Sequence, residues 1–263
     1  MPSDEDIGPS AEVPRRRCPL DAGGHGAGVP SPLRRHSLYG APVDAPGSEA
    51  ELFVRARALA GRTLGWLAAR EGVVPPPDLV RAKGWVGMLV ERGLGATAGS
   101  RPTPDFEGLG VELKTLPVSP RGLPRESTFV TSLVPRAVLS EPWATSAPRR
   151  KLARVLWVPV EGSPSIAVAD RKLGYPLLWS PTAEDDRVLS EDWAEFQRIT
   201  AEGWLDTLTA HRGEYLQVRP KAADASVRRW TPDPDGTETP ALPRGFYLRA
   251  RFTARILARH YRT

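Results

Sequence analysis

The chain has 263 residues, 36 of them Lys or Arg and 31 Asp or Glu, a formal charge of +5 that suits a polyanionic partner. That length buries a sizeable core as one larger domain or two small ones, and no apolar run approaches a membrane span. Cys18 is the only cysteine, which excludes an intramolecular disulfide and a cysteine-based zinc site, and with no secretory signal at the N-terminus a reducing, cytoplasmic setting is expected.

Residues 1–47 are rich in Pro, Gly and Ser and poor in large apolar side chains. Such a segment cannot bury enough surface to offset its ordering entropy, so it reads as a disordered tail. Its clusters Arg15-Arg16-Arg17 and Arg34-Arg35 read as solvated. The remaining residues, 48–263, form the predicted folded domain, with 31 basic and 25 acidic residues for a formal +6.

Order is predicted to begin at Pro46-Gly47-Ser48. Ser48 with Glu51 fits a capping box, and Leu52, Phe53, Ala56 and Leu59 recur at helical spacing up to Gly61. A second helix covers about 63–70, ended by Gly72 and Pro75-Pro76-Pro77, and a third about 78–94. From Gly108 the pattern shifts to strands at 111–116, 128–133, 155–160, 166–168 and 177–179. A mainly helical stretch comes next at 182–211, then a strand at 215–219, a Pro/Asp/Gly-rich loop at 231–240, a strand near 246–249 and a helix at 254–261. Six tryptophans (Trp66, Trp85, Trp157, Trp179, Trp193 and Trp204) fall inside predicted elements and read as core. The fold class is mixed α/β.

The stretch PDFEGLGVELK, residues 104–114, carries the chemistry. Leu109, Val111 and Leu113 alternate with Gly110, Glu112 and Lys114, the period-two pattern of a half-buried strand. Alternation puts Glu112 and Lys114 on one face. Asp105 precedes the strand, with Gly108 and Gly110 permitting a bend, so two carboxylates can meet at one hard cation beside an ammonium. A Glu-x-Lys pair on a solvated strand is common, and taken alone the segment favours that plain reading.

Four further blocks change the weight: KGWVGMLVERGLGATAGS (83–100), RRKLARVLWVPVEG (149–162), HRGEYLQVRPKAA (211–223) and LPRGFYLRARFT (242–253). With PDFEGLGVELK, in this order, they resemble the MutH family of mismatch-repair endonucleases from residue 48 to the C-terminus. The resemblance implies a restriction-endonuclease-like fold, a central mixed sheet flanked by helices, with two lobes forming a DNA cleft. It implies nicking of the unmethylated strand at hemimethylated GATC sites, with Mg²⁺ or another divalent cation such as Mn²⁺. Asp105 and Glu112 match metal-binding carboxylates, Leu113 offers its carbonyl as a further ligand, and Lys114 matches the catalytic lysine. Glu91 matches a third acid and Lys151 a second lysine. Lys83 matches a basic residue of the cleft, and Phe129, Arg219, Pro220, Lys221 and Tyr247 match the GATC-reading surface.

Implied partners are double-stranded DNA and MutL, with MutS acting upstream; the chain is expected to work as a monomer. A plain core role for Phe129 weighs about equally with a reading role. Two other functions fit the same fold: a GATC-specific restriction enzyme cutting both strands, and a non-catalytic DNA-binding protein. One copy of the acidic motif favours nicking over double-strand cutting, and the intact Asp105, Glu112 and Lys114 set argues against loss of catalysis.

Overall fold

The computed structural model describes residues 43–99, 101–205, 208, 210–221, 229–232 and 238–261, with backbone alone for 229–232 and 238–241. Of the predicted tail, residues 1–42 lie outside the described residues. Residues 43–47 pack onto the helical region: Pro46 is buried, and Arg55 reaches the Asp44 carbonyl.

Among the described residues seven helices form: α1 (Glu49–Leu59), α2 (Leu64–Arg70), α3 (Trp85–Leu94), α4 (Pro135–Ser140), α5 (Ala147–Leu152), α6 (Ala183–Ala201) and α7 (Ala250–His260). The strands are β1 (Glu112–Val118), β2 (Thr128–Ser132), β3 (Val155–Glu161), β4 (Leu177–Trp179), β5 (Leu216–Pro220), β6 (Arg229–Pro232), β7 (Glu238–Ala241) and β8 (Arg244–Leu248). Half of the predicted capping box forms at α1. Ser48 Oγ accepts from the Glu51 N–H at 3.1 Å, but the Glu51 carboxylate accepts from Gly47, one residue beyond the cap.

Several predicted bounds move, each for a local reason. The third helix starts at Trp85 rather than near 78. Asp78 Oδ1 accepts from the Val80 N–H at 2.8 Å, turning the chain first, and Gly84 sits at φ +85°, which a helix interior excludes. The predicted strand at 166–168 gives way to a single 3-10 turn, Val168–Asp170. The predicted loop at 231–240 is framed by the antiparallel pair β6 and β7, while residues 233–237 lie outside the described residues. The short helices α4 and α5 were not predicted; Pro135 and Pro148 stand in their first turns, where a missing N–H costs nothing.

The described strands build two three-stranded sheets and a two-stranded ribbon. In the first sheet, order β1-β3-β4, β1 runs parallel to β3 and β4 antiparallel, so it is mixed. In the second, order β2-β8-β5, both pairings are antiparallel, with a register shift between Phe129 and Thr131.

β3 divides the hydrophobic interior. Its residues 155–160 are all buried, as expected for a strand covered on both faces. Val155 and Trp157 join a core with Trp193 and Phe196 of α6 and Phe252 and Ile256 of α7. Leu156, Val158 and Val160 join a second core with Leu52, Leu64, Leu67 and Leu89 from the first three helices. Trp157, Trp179 and Trp193 are core, as predicted. Trp66 and Trp204 are not, at 41% and 61% exposed; the guanidinium groups of Arg62 and Arg70 lie over the Trp66 ring, 5.0 and 5.3 Å from its centroid, which stabilises it at the surface.

Candidate active site

A tight loop folds Asp105 back against β1. Phe106 and Val111 exchange backbone hydrogen bonds of 2.9 and 3.3 Å, a 3-10 turn fills Glu107–Leu109, and Gly110 takes φ +66°, which glycine adopts without a Cβ clash. Asp105 Oδ2 then accepts from the Leu113 N–H at 2.8 Å. The Glu112 N–H is spent on the Arg154 carbonyl at 2.9 Å. Peptide groups alternate along a strand, so those of Leu113 face the free edge of the sheet, where Asp105 lies.

Glu112 and Lys114 share a face as predicted, with Lys114 Nζ 2.6 Å from Glu112 Oε1. Lys151 arrives from α5, donating to Glu112 Oε2 at 2.8 Å and to the Thr103 carbonyl. The strand is more enclosed than its half-buried pattern suggests: the Glu112 side chain is only 3% exposed. An isolated carboxylate there would cost far too much, and a lysine on each oxygen is what makes its burial tolerable.

Asp105 has no ion pair among the described residues. Burial first, and the Glu112 charge second, push its carboxyl above the usual range. Glu91, projecting from α3, is raised by burial first and by Asp105 second. Asp105, Glu91, Glu112, Lys114 and Lys151 therefore form one electrostatic unit. Lys83 is exposed, just ahead of Gly84, with no hydrogen bond or ion pair to these carboxylates among the described residues.

The second predicted group gathers on the other sheet. Phe129 of β2 and Tyr247 of β8 are register partners, their rings edge-to-face with centroids 5.3 Å apart. The exposed Arg219 guanidinium lies over Tyr247 at 5.7 Å, and the exposed Lys221 ammonium over Phe129 at 4.9 Å. Pro220 ends β5 between them, opposite Arg244. Phe129 is half-buried, neither plain core nor free surface. Helix α5, which delivers Lys151 to Glu112, also packs on β2.

Three supports escaped the sequence reading. The Thr103 carbonyl anchors Lys151. Arg154, whose carbonyl takes the Glu112 N–H, is held by Glu49 through two contacts of 3.0 and 2.6 Å. Asp192, buried on α6, accepts the N–H groups of Glu214, Tyr215 and Leu216 at 2.6, 2.7 and 2.7 Å, fixing the start of β5. Only Asp192 left a signal: an acid on the same stripe as Val188, Leu189, Trp193 and Phe196 needs a buried partner.

Among the described residues, no three carboxylate, imidazole or thiol side chains stand as a ready metal cage. The donors at hand are the Asp105 and Glu112 carboxylates and the edge carbonyl of Leu113. That all-oxygen set fits a hard cation which retains several waters, and a cation there would relieve the crowding that raises Asp105. Each Glu112 oxygen keeps a second lone pair beyond its lysine.

The family model for the DNA mismatch repair enzyme MutH matches residues 94–192, which include Asp105, Glu112, Lys114, Phe129 and Lys151. The DNA mismatch repair protein MutH of Escherichia coli, in strains UMN026 and 536, is 50% identical over 216 residues, covering 82% of this chain and 94% of the relative. The protein of that name from Shigella flexneri serotype 5b is similar to the same degree, 50% over 216 residues. With identity at that level across nearly the whole of these relatives, the chain belongs to the MutH family of DNA mismatch repair proteins.

Proposed function

We propose that the Asp105, Glu112, Lys114, Glu91 and Lys151 unit is the site at which this mismatch repair endonuclease nicks the unmethylated strand of hemimethylated GATC. The observation that carries this reading is the pairing of a buried, lysine-clamped Glu112 with an Asp105 whose carboxyl is pushed up by burial and by that neighbour. Two desolvated carboxylates suit a divalent cation, and that cation with the neighbouring lysines would suit the negative charge that develops when a phosphodiester is cleaved.

Asp105, Glu112 and the Leu113 carbonyl are the residues that would hold Mg²⁺, or Mn²⁺ in its place. When bound, such a cation supplies charge neutralisation at the phosphate and a more acidic water. The protein's own groups do the rest. Lys114, fixed by Glu112, orients the attacking water or donates to the phosphoryl oxygens as negative charge builds there. Lys151 ties Glu112 to Thr103 and so limits how far the Asp105 segment can drift. Glu91 adds negative charge beside Asp105 and completes the shell or steadies a lysine.

Arg219 and Lys221 reach for base edges and phosphates, a task for which guanine O6 and N7 are the usual arginine partners. In this reading the Phe129 or Tyr247 ring packs on an unmethylated adenine or clashes with its N6-methyl, a role supported by their pairing beneath Arg219 and Lys221. On the same reading residues 48–263 form one endonuclease domain of two lobes around a DNA cleft, with Lys83 in that cleft and residues 1–47 as a tail whose last five residues, 43–47, pack on the helices. The protein works as a cytoplasmic monomer, activated by MutL after MutS has found the mismatch.

The test is a Mg²⁺-dependent assay on a plasmid with one hemimethylated GATC site, resolving which strand is cut. Nicks confined to the unmethylated strand are expected. Linear product from fully unmethylated plasmid would assign a restriction activity instead.

A further inference from the structure

Arg219 stands on β5, one edge of the second sheet, and Lys221 just past its end, yet both side chains reach across β8 to the opposite edge strand. Strands lie about 4.8 Å apart, so each crosses roughly 10 Å from its own backbone to the neighbourhood of β2. Two hydroxyls wait there. Ser127, just ahead of β2, accepts from Arg219 Nη1. Ser132, the last residue of β2, accepts from Lys221 Nζ at 2.8 Å. Along the way the guanidinium covers the Tyr247 ring and the ammonium the Phe129 ring. Each cation is thus held at two points, a ring below and a hydroxyl beyond.

An exposed arginine or lysine otherwise samples many rotamers, and the entropy of fixing it opposes binding. Neither serine is needed to compensate a buried charge, because both cations are exposed. Both serines are half-buried at the rim of the same face. Each accepts from its cation through its oxygen and retains a hydroxyl proton to donate elsewhere.

We propose that Ser127 and Ser132 are positioning residues for sequence recognition: they pre-set the Arg219 and Lys221 heads over Tyr247 and Phe129, and so sharpen discrimination between GATC and near-miss sites. This rests on the reading of Arg219 and Lys221 as base-reading groups given above. The two serines are not equivalent. A guanidinium recognises through a planar fork and loses contacts when it rotates, whereas an ammonium acts as a point charge that tolerates tilting. Ser127 therefore matters more.

The experiment compares nicking of GATC duplexes with duplexes carrying one altered base pair, for wild type, Ser127→Ala, Ser132→Ala, the double variant and Ser127→Thr. The expected result is a fall in the GATC preference of about 2- to 10-fold for Ser127→Ala, the scale set by freeing one immobilised side chain. The fall should be smaller for Ser132→Ala, and Ser127→Thr should restore the preference. The salt dependence of binding, which counts phosphate contacts, should not change. Wild-type preference retained in the double variant overturns the proposal, as does weaker binding to all sequences with the preference intact. A wild-type protein with no preference for GATC overturns the functional reading together with this inference, whereas a selective wild type with equally selective variants overturns the inference alone. Melting temperatures of all five proteins separate lost positioning from lost folding.

Discussion

The carboxylate group on the first sheet and the cation–aromatic group on the second solve opposite problems. The first hides its charge: Glu112 is enclosed, each oxygen bound to a lysine, and Asp105 is held near it at a cost in acidity. The second displays its charge, with Arg219 and Lys221 exposed over half-buried rings. Cleavage gains from a low-dielectric setting in which a fixed donor acts strongly on developing charge. Reading a base sequence gains from accessible donors whose positions are settled beforehand. Helix α5 touches both, through Lys151 on one side and its packing on β2 on the other.

The largest expected effect breaks the first group and spares the second. Lys114→Ala should slow single-turnover nicking by about 10²–10³-fold, the scale for losing one fixed donor to a charged transition state. Binding to a GATC duplex, measured by titration, should stay near the wild-type value. Equal losses in both would mean that the two groups do not divide the work.

Gly245→Ala strikes the second group alone. A Cβ there would sit 2.8 Å from Phe129 Cε2 and 3.1 Å from the Thr131 carbonyl, so the ring must move. Overpacking of this kind costs about 1–3 kcal/mol, read as a lower midpoint in chemical denaturation. The variant should also lose discrimination between methylated and unmethylated adenine, with non-specific DNA binding kept. Unchanged methyl discrimination would remove Phe129 from that task.

The smallest effect concerns acidity. Because the folded-state carboxyl of Asp105 is raised, the folded protein binds more protons than the unfolded chain between the ordinary aspartate value near 3.9 and the raised one. Stability therefore falls as pH rises through that window and stays lower above it. Asp105→Asn keeps an oxygen for the Leu113 N–H and removes the charge. The metal-free variant should melt higher than wild type at pH 8, and the difference should vanish below pH about 4. A lower melting temperature at pH 8 would contradict the crowded-carboxylate account.

Sequence range decides which of these features were legible beforehand. Glu112 and Lys114 share a face because strand alternation depends on neighbours alone, and the contact is there. The Asp105 bend was legible in its glycines, though Gly110 is the one at positive φ. Lys151 lies on a separate helix far beyond Lys114, and nothing in local spacing brings it to Glu112; family resemblance singled it out. The partition into two sheets was hidden for the same reason, since β2 pairs with β8, more than a hundred residues later. Pairing of β6 with β7 eluded a reading that took Pro and Asp as loop signals, although a two-stranded ribbon has only edges, where proline is tolerated. Ser127 and Ser132 gave no signal at all, because their value lies in which side chains cross the sheet to meet them.

The most direct measurement is single-turnover nicking of a one-site hemimethylated duplex by wild type and Asp105→Ala in Mg²⁺, with duplex affinity tracked in parallel. Loss of nicking with affinity retained is the predicted result. Nicking at the wild-type rate by a folded Asp105→Ala protein would contradict the assignment of this site.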